Sequence, residues 1–302
     1  MRQTVITALF LSALASSAEA QIPESFQISV NVDLVVLNPT VRDRKGGFVS
    51  DLREQDFAVY EDGIRQSIKL FRHEDVPVTV GLVVDHSGSM KPKLTDVIAA
   101  ARTFVQFSRP DDRIFVVNFN ENVTLSMPAI RIGDRSDGLA RAISGTPAGG
   151  KTALYDAVIA AFSRLHAGVS GKNVLIVISD GGDNASAHSL AEVLKTAEES
   201  SALVYTIGIF DDDDADKNPH VLSRLARATG GDAFFPGGNS EVVAVCESIA
   251  RDIRNQYTIG YVSGNAARAG AWRSIRMTAA APGHGKLLVR ARSGYIDGGK
   301  SQ

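Results

Sequence analysis

The stretch Val78-Thr79-Val80-Gly81-Leu82-Val83-Val84 decides the fold, because it is a short apolar run, rich in β-branched residues, between Pro77 and a turn. Such a run is typical of a strand that is buried on both faces of a parallel sheet. It is followed directly by Asp85-His86-Ser87-Gly88-Ser89, in which a carboxylate and two hydroxyls stand at alternate positions and Gly88 permits a tight turn. Ligands bind at the carboxyl ends of strands in open parallel sheets. The sequence therefore predicts an oxygen-lined site at the end of this strand.

Apolar strands alternate with amphipathic helices from Val78 to about Ile253. This alternation predicts a doubly wound (Rossmann-like) α/β domain with a mostly parallel sheet, over residues 76–255. Cys246, the single cysteine, is expected to be a buried packing residue. The predicted strands are Val78–Val84, Arg113–Phe119, Val123–Ser126, Val174–Ser179, Leu203–Ile209 and Ala233–Phe235. The predicted helices are Leu94–Phe107, Ala153–Leu165, Ser189–Ser200, Pro219–Thr229 and Glu241–Ile253.

The segment before this domain, residues 21–75, is predicted to be rich in β-structure. Gln27–Val41 contains stretches in which apolar and polar residues alternate, which is typical of a half-buried strand. Phe57–Tyr60 and Ser67–Phe71 are two further apolar segments, and Glu61-Asp62-Gly63 lies between them as a hairpin turn would.

The segment after the domain, residues 256–302, has the same character. Its apolar stretches are separated by breaks rich in glycine, proline and asparagine. Each flanking segment alone is too short to bury a core, so we expect both to join in one smaller β-sandwich-like domain. The predicted strands of the second flank are Tyr257–Val262, Ser274–Ala280 and Lys286–Arg292.

Residues 1–20 have the pattern of a secretory signal peptide. Arg2 precedes an apolar run from Val5 to Ala15, and small residues end at Ala18-Glu19-Ala20. We therefore expect a mature chain that begins near Gln21 and is exported to the periplasm or the extracellular space. The apolar run is too short to span a bilayer, and no later segment approaches that length, so no transmembrane segment is expected in the mature chain. A formal net charge of −2 and the lack of a basic stripe argue against nucleic-acid binding.

Two other segments are expected to meet Asp85, Ser87 and Ser89 at the same edge of the sheet. Thr152 supplies a hydroxyl from a loop position, at the N-cap of a predicted helix, while Asp180 directly follows a predicted strand. Hydroxyl and carboxylate oxygens suit a hard cation, Mg²⁺ before Mn²⁺ or Ca²⁺. The predicted metal ligands are Asp85, Ser87, Ser89, Thr152 and Asp180, with Asp156 and Asp183 as supports around them.

This pattern resembles the metal-ion-dependent adhesion site (MIDAS) of the von Willebrand factor A (VWA) domain, which uses a D-x-S-x-S loop, a threonine and an aspartate from three loops. The resemblance implies a non-enzymatic module that binds a protein partner through its cation, with an Asp or Glu of the partner completing the coordination. Further segments resemble a group of secreted bacterial proteins, the acidobacterial-type VWFA-related family. These segments are Asp56–Gly63, Thr152–Ala157, Phe234–Pro236, Tyr257–Tyr261 and Gly294–Tyr295.

A different motif overlaps the same region. Gly145–Thr152 fits G-x-x-x-x-G-K-[ST], the phosphate-binding loop of nucleotide hydrolases, and an apolar strand leads to Asp180 as in their second nucleotide motif. That loop must follow a buried strand, whereas Asp137–Ser144 predicts a short helical turn. The motif also leaves the Asp85–Ser89 loop without a role. The alternatives to metal-dependent binding are thus an Mg²⁺-dependent nucleotide hydrolase and a structural scaffold with a vestigial metal site.

Overall fold

The computed structural model describes residues 34–134, 138–166, 171–210, 216–264 and 270–297. The predicted signal peptide, residues 1–20, lies outside them. The described strands are β1 (Leu34–Leu37), β2 (Thr40–Arg42), β3 (Phe57–Glu61), β4 (Ile64–Gln66), β5 (Ile68–Arg72), β6 (Val78–Asp85), β7 (Arg113–Phe119), β8 (Val123–Arg131), β9 (Lys172–Ser179), β10 (Leu203–Gly208), β11 (Ala233–Phe234), β12 (Thr258–Val262), β13 (Trp272–Ala279), β14 (Leu288–Arg290) and β15 (Gly294–Ile296). The described helices are α1 (Leu94–Gln106), α2 (Gly138–Ser144), α3 (Leu154–His166), α4 (Leu190–Glu199), α5 (Pro219–Thr229) and α6 (Asn239–Arg254).

The central sheet has the strand order β11-β10-β9-β6-β7-β8. Neighbouring strands are parallel, except that β8 runs antiparallel to β7. β6 lies between β9 and β7 and is buried at every position but Thr79, as its apolar sequence requires. The predicted doubly wound, mostly parallel sheet is confirmed.

Helices cover both faces of this sheet. On one face, α1, α2 and α6 pack against residues such as Leu82 and Ile176. On the other face, α3, α4 and α5 pack against residues such as Val83 and Val177. Cys246 of α6 is buried in the first layer as expected, and burial raises the pKa of its thiol to about 12. No helix among the described residues has the length and apolar character to cross a membrane.

The two flanking segments pair with each other in antiparallel sheets, so the expected joint β-rich layer is confirmed. β12 pairs with both β1 and β5, while β13 lies between β3 and β15. β2 pairs with β14. These sheets share one apolar core, in which Leu37, Phe57 and Val59 meet Tyr257 and Ile259. Because the residues of this core come from both ends of the chain, neither flank forms the core alone.

The hairpin of the first flank differs from the sequence prediction. The turn after β3 leads into β4, Ile64–Gln66, instead of into the predicted Ser67–Phe71. Asp62 and Gly63 have φ values of 48° and 81°, as a tight two-residue hairpin requires. The sequence pattern does not predict β4, because this strand is short and its one apolar residue, Ile64, is exposed. The predicted segment forms β5, which pairs with β12 in another sheet.

Candidate metal centre

The structure brings four of the predicted metal ligands together at the carboxyl ends of two neighbouring strands. Asp85 is the last residue of β6, Ser87 follows in the loop, and Ser89 lies in a short 3-10 helix over Gly88–Lys93. Asp180 directly follows β9, the parallel neighbour of β6. The Ser89 hydroxyl donates a hydrogen bond to Asp180 Oδ2, and the hydroxyl oxygens of Ser87 and Ser89 are 3.2 Å apart.

Thr152, the fifth predicted ligand, lies in a loop that is bonded to the Asp85–Ser89 loop through the backbone. Gly88 N donates to Gly150 O at 3.3 Å, and Gly149 N donates to the carbonyl of His86 at 2.8 Å. Thr152 itself is buried. The loop segments that carry all five residues are therefore in direct contact.

Thr152 lies in a loop, as predicted, but it is not the N-cap of α3, because that helix begins at Leu154. The backbone of Thr152 has other partners. Its amide donates to Asn184 Oδ1 at 2.9 Å, and its carbonyl accepts hydrogen bonds from the amides of Asn184 and Ala185. These bonds replace the helical pattern and keep Thr152 in the loop.

Asp85 is a fully buried carboxylate, and no described residue pairs with it as a base. Ser87 N donates to Oδ1 at 2.8 Å, and the Ser179 hydroxyl donates to Oδ2 at 2.6 Å. Burial nevertheless raises the pKa of Asp85 to about 6, and the nearby charge of Asp180 acts in the same direction. Among the residues that the structure describes, no lysine or arginine forms an ion pair with Asp85 or Asp180. A buried carboxylate is costly unless a positive charge compensates it.

The donor set fits a small, hard cation. It combines two carboxylates with three hydroxyls, and Mg²⁺ prefers such oxygen ligands while keeping some of its waters. The described residues contain no group of three or more His, Cys, Asp or Glu side chains arranged to hold a metal, so hydroxyls would have to contribute.

The predicted supporting residues Asp156 and Asp183 connect α3 to the loop that follows Asp180. Asp183 Oδ2 accepts hydrogen bonds from Tyr155 N at 2.9 Å and from the Ser186 hydroxyl at 2.6 Å. Asp156 accepts hydrogen bonds from the amides of Ala187 and His188, each at 3.0 Å. The two carboxylates fix this loop against the start of α3.

Sequence reasoning missed Ser179, Glu121 and Asn184. Ser179 could have been predicted from the sequence, because it is a polar residue at the end of a largely apolar, buried strand, next to Asp180. Glu121 Oε2 accepts a hydrogen bond from Lys151 N at 2.9 Å, next to Thr152. Both Glu121 and Asn184 are exposed, and nothing in their sequence surroundings distinguishes them from ordinary solvated residues.

The segment Gly145–Thr152 does not have the surroundings of a phosphate-binding loop. It follows α2, a helix, as the sequence predicts. Three amides that would face phosphates in such a loop, those of Gly149, Lys151 and Thr152, instead donate to protein oxygens. The geometry argues against the nucleotide alternative.

An open α/β sheet with helices on both faces and oxygen donors at the carboxyl ends of β6 and β9 defines the class of this protein. The sequence model of the von Willebrand factor type A domain matches residues 79–244. The chain belongs to this family, which confirms the resemblance to VWA domains.

Comparison with individual proteins agrees with this assignment. The chain is 25% identical over 236 residues to the inter-alpha-trypsin inhibitor heavy chain H2 of Mus musculus, an alignment that covers 72% of this chain. The alignment covers 23% of the mouse protein, so the chain spans about a quarter of that relative's length.

Two solved structures show a similar fold. The von Willebrand factor type A protein from Catenulispora acidiphila superposes with a TM-score of 0.54 at 14% identity, over 90% of this chain and 75% of that chain. The vWF domain of the type V pili tip protein Mfa5 from Porphyromonas gingivalis superposes with a TM-score of 0.50 at 15% identity, over 60% of this chain and 96% of that chain. At these identities, the likeness concerns the fold.

Proposed function

We propose that this protein is a metal-dependent protein-binding module with no catalytic role. The cation would be held by Asp85, Ser87, Ser89, Thr152 and Asp180, and Mg²⁺ is the ion that these ligands suit best. When bound, the cation supplies a positive charge with open coordination positions, to which a carboxylate can bind. The partner is accordingly a protein that offers an exposed Asp or Glu.

The observation that carries this proposal is the buried pair of carboxylates at one end of the sheet. Asp85 and Asp180 are 0% and 1% exposed, and both accept hydrogen bonds from serine hydroxyls. A divalent cation would compensate their charge, which the surrounding described residues leave without a salt bridge. Three neutral hydroxyls among the ligands would leave the cation enough charge to attract an acidic side chain.

We also propose that the protein is exported and acts in the periplasm or outside the cell. This part rests on the signal-peptide pattern of residues 1–20. A role in adhesion or assembly agrees with such a location, and the VWA fold is shared with the tip protein of a type V pilus.

Calorimetric titration of the chain with Mg²⁺ and with Mn²⁺, in the absence of nucleotide, tests the metal site. We expect saturable binding of both ions, and we expect Asp85→Ala to abolish it while retaining the far-ultraviolet circular dichroism of a folded chain. Asp134→Ala, which removes an exposed carboxylate outside the site, is the matched control and is expected to bind as the wild type does.

The same preparation tests the carboxylate-binding step. Protein-bound Mn²⁺ increases the relaxation rate of water protons, and acetate or an Asp-containing peptide is expected to reduce this effect by displacing a water. Equal metal binding by the wild type and Asp85→Ala would overturn the proposed site. Metal binding without any effect of carboxylates would overturn the proposed mode of partner recognition.

A further inference from the structure

The loop that carries Thr152 is fixed by hydrogen bonds along its backbone. Gly149 N donates to His86 O at 2.8 Å, Gly150 O accepts from Gly88 N at 3.3 Å, and Ala153 N donates to Asn120 O at 2.8 Å. The amides of Lys151 and Thr152, between these positions, have side chains as partners. The position of Thr152 therefore depends on two residues outside the five predicted ligands.

Glu121 holds the loop on one side. Its Oε2 accepts the hydrogen bond from Lys151 N at 2.9 Å. Gly150 makes this contact possible, because a Cβ atom at that position would lie 1.8 Å from Glu121 Oε2. Gly150 also has a φ of +83°, a conformation that glycine adopts most readily. The close approach of the carboxylate is thus built into the loop sequence.

Asn184 and its neighbour Ala185 hold the loop on the other side, through three hydrogen bonds to Thr152. Asn184 Oδ1 accepts from Thr152 N at 2.9 Å, the backbone amide of Asn184 donates to Thr152 O at 2.9 Å, and the amide of Ala185 donates to the same carbonyl at 3.0 Å. The neighbouring Asp183 is bonded to Tyr155 N of α3, so the segment that carries Asn184 is itself fixed.

We propose that Glu121 and Asn184 are positioning residues, which fix the Thr152 loop so that the threonine hydroxyl is already in place when a divalent cation binds. This inference rests on the proposed function and assigns these two residues a part in the affinity of the site. Binding sites gain affinity when their ligands are held in place beforehand, because less conformational freedom is then lost on binding. Groups that orient metal ligands typically change metal affinity by about 10- to 100-fold.

Glu121 has a second possible means of raising affinity, because its negative charge lies near the site. The two mechanisms require different variants. Glu121→Gln keeps an acceptor oxygen for Lys151 N and removes the charge, whereas Glu121→Ala removes both. Retained affinity in Glu121→Gln together with lost affinity in Glu121→Ala identifies positioning through the hydrogen bond.

The experiment measures Mg²⁺ affinity by calorimetry for the wild-type chain, Glu121→Gln, Glu121→Ala, Asn184→Asp and Asn184→Ala. We expect the alanine variants to bind about 10-fold more weakly. Glu121→Gln and Asn184→Asp retain the acceptor oxygen, so we expect them to bind Mg²⁺ with an affinity within about threefold of the wild type, or tighter. Asn122→Ala, an exposed position in the same turn as Glu121, is the matched control.

Amide hydrogen exchange of the metal-free chain provides the second readout. Glu121→Ala is expected to accelerate exchange at Lys151 N by about fivefold, and Asn184→Ala is expected to do so at Thr152 N. Because both side chains are exposed, their truncation leaves no cavity in the core, and urea unfolding is expected to confirm that the variants remain folded.

The outcomes separate this inference from the proposed function. Wild-type affinity in both alanine variants, with Mg²⁺ binding intact, would overturn the positioning role alone. Equal losses in Glu121→Gln and Glu121→Ala would also overturn it for Glu121, by assigning the effect to charge. A wild-type chain that fails to bind Mg²⁺ would overturn the proposed function and this inference together.

Discussion

Gly150 and Gly46 have nearly the same backbone conformation in very different surroundings. Their φ values are +83° and +85°, in the left-handed region where a side chain is unfavourable by about 1–2 kcal/mol. A Cβ at Gly46 would meet nothing within 4 Å, whereas one at Gly150 would collide with the carboxylate of Glu121. That carboxylate is the end of a flexible, exposed side chain, so it can move away at low cost.

Substitution of these two glycines separates stability from metal binding. We expect Gly150→Ala and Gly46→Ala to lower the free energy of unfolding by similar amounts, about 1–2 kcal/mol each in urea titrations. Only Gly150→Ala is expected to weaken Mg²⁺ binding, because only that change displaces Glu121 from Lys151 N. Equal Mg²⁺ affinities for the two variants would contradict the role assigned to Glu121.

The sequence predicts residues of the site that lie where strands end. Asp85 and Asp180 directly follow apolar runs, and parallel strands place their carboxyl ends at one edge. Glu121 and Asn184 could not be predicted in this way, since their contacts with the Thr152 loop depend on how three loops pack after folding. The N-cap of α3 lies one residue later than the sequence predicts, and the backbone of Thr152 binds Asn184 instead.

At the scale of elements, basic residues from other segments bind the carboxyl ends of two helices. Lys172, at the start of β9, donates through Nζ to Gln256 O at 3.0 Å and to Ile253 O at 3.4 Å, at the end of α6. Arg292 donates to the carbonyls of Glu198 and Ser200, where α4 ends. Positive charges are favourable at this end of a helix, where carbonyl groups lack partners within the helix.

Lys172 makes the stability of the chain depend on pH. Burial lowers the pKa of its ammonium group to about 8, below the value of about 10.5 that applies in the unfolded chain. The charged form is therefore disfavoured in the folded state, and this penalty disappears as pH rises through the interval between the two values. Stability from this group increases with pH, since the unfolded chain binds more protons there.

Comparison of the wild type with Lys172→Met measures this effect without the contribution of other groups. The free energy of unfolding of the wild type, relative to that of the variant, is expected to increase by about 1–2 kcal/mol from about pH 7.5 to about pH 9.5. Urea titrations at several pH values provide the measurement. Parallel pH profiles for the two proteins would show that Lys172 titrates normally in the folded chain.

Hydrophobic periodicity is informative for long elements and less so for short ones. The bounds of β7 and α5 agree with the sequence prediction because β7 contains a continuous apolar run and α5 has buried apolar residues at three- and four-residue spacing. β4 has three residues and one exposed isoleucine, so its existence depends on the turn at Asp62 and on pairing with β3. Such a strand is determined by its neighbours in the sheet.

At the scale of the whole molecule, a buried polar cluster connects the two ends of the chain within the β-rich layer. Glu61 at the end of β3 accepts hydrogen bonds from Tyr261 of β12 at 2.6 Å, Arg273 of β13 at 3.0 Å and Tyr295 of β15 at 3.1 Å. Burial acts to raise the pKa of Glu61, but the hydrogen bonds from Ser263, Tyr261 and Arg273 together lower it by more. The pKa therefore lies below its ordinary value, and the carboxylate stays charged. One side chain of the first flank thus binds three strands of the second.

A double-mutant cycle on Glu61 and Arg273 tests how strongly this cluster joins the flanks. Their side chains are 0% and 4% exposed, and removal of one partner leaves a buried charge, so Glu61→Leu and Arg273→Met are each expected to destabilise the chain by about 3–5 kcal/mol. The double variant is expected to lose less than the sum, by about 2 kcal/mol or more, because neither charge of this pair is then left buried without the other. The exposed pair Arg131–Asp134, with N and O atoms 3.0 Å apart, is the control, and its coupling energy is expected to stay below about 1 kcal/mol. Additive effects at Glu61 and Arg273 in urea unfolding would instead mean that apolar packing around Phe57 and Tyr257 joins the flanks without help from the buried ion pair.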